Sequence, residues 1–139
     1  MATTIRAEIS TKNKYWIDKH RHYELKHFCL QYPIWKKTYA AIVELSASST
    51  TLERASLPNM HSDPTAKCAL KKIYYSEKIK MVEEIAKEAD PLLWTYILKA
   101  VTEGLSYTYL QTKLCIPCSR DTYYDRYRKF FWLLSNERD

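Results

Sequence analysis

Glycine is nearly missing: Gly104 is the only one in the 139 residues. A Walker loop, a G-x-G-x-x-G turn and a nucleophile elbow all need glycine where the backbone turns tightly or approaches a ligand, so all three are excluded. The same scarcity argues against a hairpin-rich β fold. No apolar run approaches the ~20 residues that span a bilayer, and no signal-type apolar stretch stands near the start, which predicts no membrane partner. Disorder and a coiled-coil rod are equally poor fits, because 46% of the residues are hydrophobic and 27% charged. What remains is one small helical body that works by binding.

The formal net charge is +6, and it is unevenly spread. Residues 1–40 hold eight basic and three acidic groups, net +5. Residues 41–100 hold eight of each, and residues 101–139 hold six and five, net +1. The excess therefore sits in the N-terminal region, which suits a helix or arm against a polyanion, or a solvated helix face. Lys12, Lys14, Lys19 and Arg21 are its candidate phosphate contacts.

Cys29, Cys68, Cys115 and Cys118 are expected as free thiols in a reducing cytoplasm. Cys115-Ile116-Pro117-Cys118 has C-x-x-C spacing, but a redox centre wants a strand before it, and none is expected. A zinc site needs two more ligands, and no second C-x-x-C or H-x₃₋₅-H follows. Packing near a turn is the simpler reading. His20 and His27 share a helical face with Trp16 and Tyr23, yet stand roughly 10 Å apart along the axis, too far for one ion. Neither a metal nor any other cofactor is expected.

Along the chain, Lys12 to about Gln31 predicts a first helix carrying Leu25, Phe28, Cys29 and Tyr32 on one face. Tyr32-Pro33 stops it, and Pro33 opens a second helix over 33–45 with Trp35, Tyr39, Ile42 and Val43 inward. Residues 46–62, rich in Ser and Thr, are expected as a linker. Asp63-Pro64 starts a long helix to about Ala89, with Tyr75, Ile79, Val82 and Ala86 in line. Asp90-Pro91 repeats the device for a helix ending at Gly104, the left-handed stop. The fold class is all-α, with about five to six helices. Its parts are a basic helical region 1–45, the linker 46–62, a central helical region 63–104 and a helix-turn-helix over 105–139.

That last region carries the function. A short helix at about 106–114, a turn at 115–118 and a helix capped by Ser119 and reaching about Ser135 follow the order of a helix-turn-helix. Tyr123, Tyr127, Phe130, Phe131 and Leu134 form the inward stripe of the last helix. Its first turns offer forked or short hydrogen-bonding side chains, which reach base edges in the major groove: Arg120, Thr122 and Tyr124. Arg126, Arg128 and Lys129 are the backbone candidates. Asp121 and Asp125 on the same helix oppose phosphate unless paired with arginine. Glu83, Glu84, Glu88 and Asp90 look like a solvated face, and no Ser, Cys or Asp constellation surrounds a histidine, so no enzyme is expected.

The layout resembles the ArpU/RinA-type late transcription regulators of phages that infect Gram-positive bacteria. The shared features are Tyr32-Pro33 before a helix, a variable linker, Asp63-Pro64-Thr65-Ala66 opening a long helix, and a C-terminal segment containing Thr122-Tyr123-Tyr124-Asp125-Arg126-Tyr127-Arg128. The likeness spans roughly residues 23–137. The resemblance implies a C-terminal part like the fourth region of bacterial sigma factors. It also implies double-stranded DNA as partner near a promoter and activation of phage morphogenesis or packaging genes; the expectation that follows is a regulator that touches host RNA polymerase and acts in the bacterial cytoplasm as a monomer or homodimer. The Cys115-to-Cys118 turn departs from the family's motif. Two other readings stay open: a small DNA-packaging subunit acting as a ring, and a phage inhibitor that binds a host protein through its twelve Tyr and four Trp.

Overall fold

The last helix shows most simply how sequence becomes structure here. Ser119 takes an extended backbone (φ −78°, ψ 167°), and its hydroxyl accepts the Thr122 N–H, which satisfies one orphan donor of the first turn. From there Tyr123, Phe130, Phe131 and Leu134 recur at helical spacing and are all buried. Each such side chain contributes about 1.5–3 kcal/mol relative to an exposed position.

The computed structural model describes residues 11–55 and 64–138, with the backbone alone over 46–55. It is all-α, with no strand among the described residues. In chain order the helices are α1 (Lys19–Leu30), α2 (Tyr32–Ala55), α3 (Pro64–Ala89), α4 (Trp94–Glu103), α5 (Tyr107–Leu114) and α6 (Arg120–Glu137). They form two units, residues 1–31 with 81–139, and residues 32–80, so that α3 runs through both.

In the first unit α1, α4 and α6 pack against one another. Leu25, Phe28 and Cys29 come from α1, Ile97, Ala100 and Val101 from α4, and the aromatic stripe from α6. The end of α3 adds Val82, Ile85, Ala86 and Ala89 to the unit's buried residues. Gly104 ends α4 at φ 70°, as its place in the sequence predicts. In the second unit Trp35 and Ile42 of α2 are buried, and the Lys78 ammonium lies 5.4 Å from the centre of the Trp35 ring. That unit leaves Ile34, Leu70 and Ile73 exposed.

Several local expectations are corrected. Helix α1 begins at Lys19, not Lys12, because Asn13 turns the chain: its side-chain oxygen accepts the Tyr15 N–H at 2.8 Å and its carbonyl the Trp16 N–H. Trp16 therefore lies outside the helical face that carries His20, Tyr23 and His27. Helix α2 continues through Ala55, ten residues beyond its expected end, so the front of the supposed linker is helical. Residues 56–62 of that linker and the Asp63 cap lie outside the described residues. Val43 is exposed, although the spacing had put it inward. Asp90 does cap, but it caps a turn: Oδ1 accepts the Leu92 and Leu93 N–H groups, and α4 proper starts at Trp94.

Candidate nucleic-acid interface

The segment from Ser106 to Glu137 is built by three local devices. The Ser106 hydroxyl accepts the Tyr109 N–H and opens α5. Cys115 closes α5 in the left-handed region at φ 53°, a conformation that costs a side-chain-bearing residue about 1–2 kcal/mol. The Tyr107 hydroxyl then donates to the Cys118 carbonyl at 2.6 Å, which ties the front of α5 to the far side of the turn. A short helix, a connection over 115–119 and a longer helix thus follow one another. That connection is longer than the 3–4 residues of the tightest helix-turn-helix.

The four cysteines are free, and the Cys118 thiol is pushed up by burial and by the nearby Asp90 carboxylate, which disfavours the thiolate that redox or zinc chemistry requires. Among the described residues no three His, Cys, Asp or Glu side chains gather as a metal site. No described helix is long and apolar enough to cross a membrane.

The ten candidate DNA contacts divide sharply. Arg120 and Thr122 are exposed at the start of α6. The Arg120 guanidinium stacks 5.2 Å from the Tyr107 ring centre, which orients it while its hydrogen-bond edge stays available. The Thr122 hydroxyl accepts from Ser119 Oγ at 3.1 Å, within the cap itself. Tyr124 is half-buried, edge-on to Tyr123 and Tyr127 and tilted against Tyr107. It therefore belongs as much to the packing of α5 on α6 as to a surface.

Arg126 is neutralised in place. Its Nε donates to Asp90 at 3.2 Å and its Nη1 to Asp125 at 2.9 Å. This pairing answers one objection to an acidic recognition helix, since Asp125 is held by arginine, but it also removes Arg126 as a free phosphate contact. Arg128 is half-buried, and its Nε is enclosed without a hydrogen-bond partner among the described residues. Lys129 is half-buried as well, one turn on from Asp125.

The N-terminal cations gather elsewhere. Lys12, Lys14 and Lys19 are exposed, and the Lys14 ammonium sits 5.0 Å over the Tyr15 ring, which itself packs on Trp132 of α6. Arg21 is a clamp. It donates to Ser135 Oγ at 3.1 Å, to the Ser135 carbonyl at 3.0 Å, to the Arg138 carbonyl and to Glu24. Arg138 in turn reaches Glu24 at 3.2 Å and lies over the Phe28 ring, so the far end of α6 is bolted to α1. Hydrogen bonds from Arg21 and Arg138 hold the Glu24 carboxyl below its usual range.

Residues 120 and 135 of one helix stand about 22 Å apart along its axis. Arg120 and Thr122 thus lie at one end of α6, and Arg21 at the other. Sequence reasoning missed the structural duty of Arg21 and Arg126, because their partners Ser135 and Asp90 are far away in the chain and no local spacing signals them. It also missed His22, whose ring meets Phe131 edge-on at 4.8 Å in the α1–α6 seam. Burial, helped by the charge of Lys26, lowers the His22 pKa to about 4, so this imidazole is neutral at pH 7.

No known protein family, curated protein or solved structure matches this chain.

Proposed function

We propose that the protein is a phage-type, DNA-binding transcription regulator that acts by docking and recruitment and carries out no chemistry. The observation that carries this reading is the exposed, serine-capped start of α6 with Arg120 presented on Tyr107 and Thr122 beside it. A helix N-terminus supplies partial positive charge and free N–H groups for phosphate, while a forked arginine and a short hydroxyl suit base edges in the major groove. Arg21, about 22 Å away along α6, fastens the far end of that helix. Lys12, Lys14 and Lys19, exposed on the N-terminal side, would offer a second partner a basic surface, for which RNA polymerase bound at the same promoter is the natural choice in a recruiting regulator.

Asp121 and Asp125 support a second reading. They lie on the side of α6 away from its buried stripe, and Asp121 is exposed. A carboxylate there suits a protein partner with a basic groove, as expected of an inhibitor that occupies a host protein's nucleic-acid site. Fluorescence anisotropy with duplexes from upstream of the neighbouring genes and with random duplex, over a range of salt, separates the two. Sequence-dependent binding that persists near physiological salt supports the regulator, and its log–log salt slope counts the phosphates engaged. Equal, salt-labile binding to both duplexes favours the inhibitor.

A further inference from the structure

Between α1, α4 and α6 lies a cavity of about 230 Å³, all of it within the first unit. Its deep wall is apolar and buried: Ala100, Val101, Phe131 and the ring of Tyr123. Tyr23, Tyr124 and Tyr127 add aromatic sides, and Gly104 and Ser106, both exposed, mark the mouth. Only one lining side chain is charged at neutral pH, Lys26, and no carboxylate lines the space. Lys26 has no carboxylate partner among the described residues.

We propose that this cavity binds a small planar aromatic anion, with its ring against the α6 aromatic wall and its carboxylate on Lys26.

Three features converge on that class. The volume is below the ~300–1,000 Å³ of drug-sized sites, so it admits a one- or two-ring compound. The walls offer tilted and edge-on rings, with Tyr127 against Phe131 at 5.0 Å and 70°, and Tyr124 against Tyr127 at 5.8 Å and 80°, so a flat guest finds both ring faces and ring edges. The charge pattern is one-sided: His22 is kept neutral by burial, which leaves Lys26 as the cation of the lining, with no carboxylate among the described lining residues. A cationic guest is repelled by Lys26. A guest would bridge α1, α4 and α6, and so reports on the seam that fixes α6, whatever α6 contacts outside.

The test uses three indole probes of different charge with the full chain: indole-3-carboxylate, neutral indole and cationic tryptamine. Amide-shift titration by NMR is expected to show saturable binding of indole-3-carboxylate, with perturbed residues confined to 22–30, 100–106 and 123–131. Indole is expected to bind at least tenfold more weakly, and tryptamine not to saturate. Lys26→Met, a half-exposed position, is expected to bring the carboxylate down to the affinity of indole. Leu105, between Gly104 and Ser106, also lines the space, and Leu105→Trp, which plugs the mouth, is expected to abolish binding while the circular dichroism spectrum stays unchanged. No saturable shifts at millimolar probe, equal affinity for all three probes, or binding that survives Leu105→Trp in the folded variant would each overturn the proposal.

Discussion

Two sets of cations lie at the two ends of α6, and they are held in opposite ways. At the start, Arg120 rests on a tyrosine face and keeps its hydrogen-bonding edge open. At the far end, Arg21 spends its donors on Ser135, Arg138 and Glu24, and Arg138 covers Phe28. The richer charge is on the N-terminal side, yet much of the arginine chemistry there fastens α1 to α6. Net charge counts cations, but only their partners decide which remain available to a polyanion.

Acid should attack the fastened end first. His22 sits in the α1–α6 seam with a pKa near 4, against an ordinary 6.5. The unfolded chain therefore binds a proton that the folded chain refuses. Stability is full above pH 6.5, falls as pH drops through the window from 6.5 to 4, and levels off below 4. The loss is about 3 kcal/mol. Urea denaturation of wild type and His22→Gln at pH 7 and pH 4 checks this, since the substituted chain lacks that share of the pH dependence. Identical pH slopes would place His22 outside the seam.

Arg21→Ala is next in size. It removes charged hydrogen bonds at a half-buried site, with an expected cost of about 2 kcal/mol in stability. Arg120→Ala should leave the denaturation midpoint within the range of ordinary surface changes, about 0.5 kcal/mol. A reversal of these two effects would erase the distinction between clamp and reader. Tyr123→Phe sharpens the middle of the helix. The Tyr123 hydroxyl is buried with no hydrogen-bond partner among the described residues, and burial holds its pKa well above the usual value. Losing it is expected to stabilise the fold by about 1 kcal/mol, seen as a higher Tm; a lower Tm would reveal a partner for that oxygen. The smallest effect is at the turn. Cys115→Gly relieves a left-handed backbone, and less than about 1 kcal/mol of stabilisation is expected, since glycine also gives the unfolded chain more freedom.

Local chemistry was legible in the sequence, and distant pairing was not. The Ser119 cap, the Gly104 stop and the inward stripe of α6 depend on neighbours within a turn or two, so spacing alone reveals them. The continuation of α2 through 46–55 escaped because Ser and Thr look like linker residues, although each costs a helix interior only a fraction of a kcal/mol and no Gly or Pro interrupts them. The late start of α1 escaped for the converse reason. The apolar residues of 12–18 hid the turn made by the Asn13 side chain. At the candidate interface, Arg120 and Thr122 stayed exposed where the sequence put them, while Arg126 was drawn to Asp90, a partner no local pattern announces.

The most direct test compares the two ends of α6 in one DNA-binding measurement. Affinities of wild type, Arg120→Ala and the Lys12→Ala, Lys14→Ala, Lys19→Ala triple variant are measured on a cognate and a random duplex at near-physiological salt. The account predicts that Arg120→Ala loses about 1–3 kcal/mol on the cognate duplex and little on the random one. The triple variant should weaken both duplexes alike, because phosphate contacts carry no sequence information. A large, sequence-independent loss from the triple variant with no effect of Arg120→Ala would contradict the assignment of the reading end.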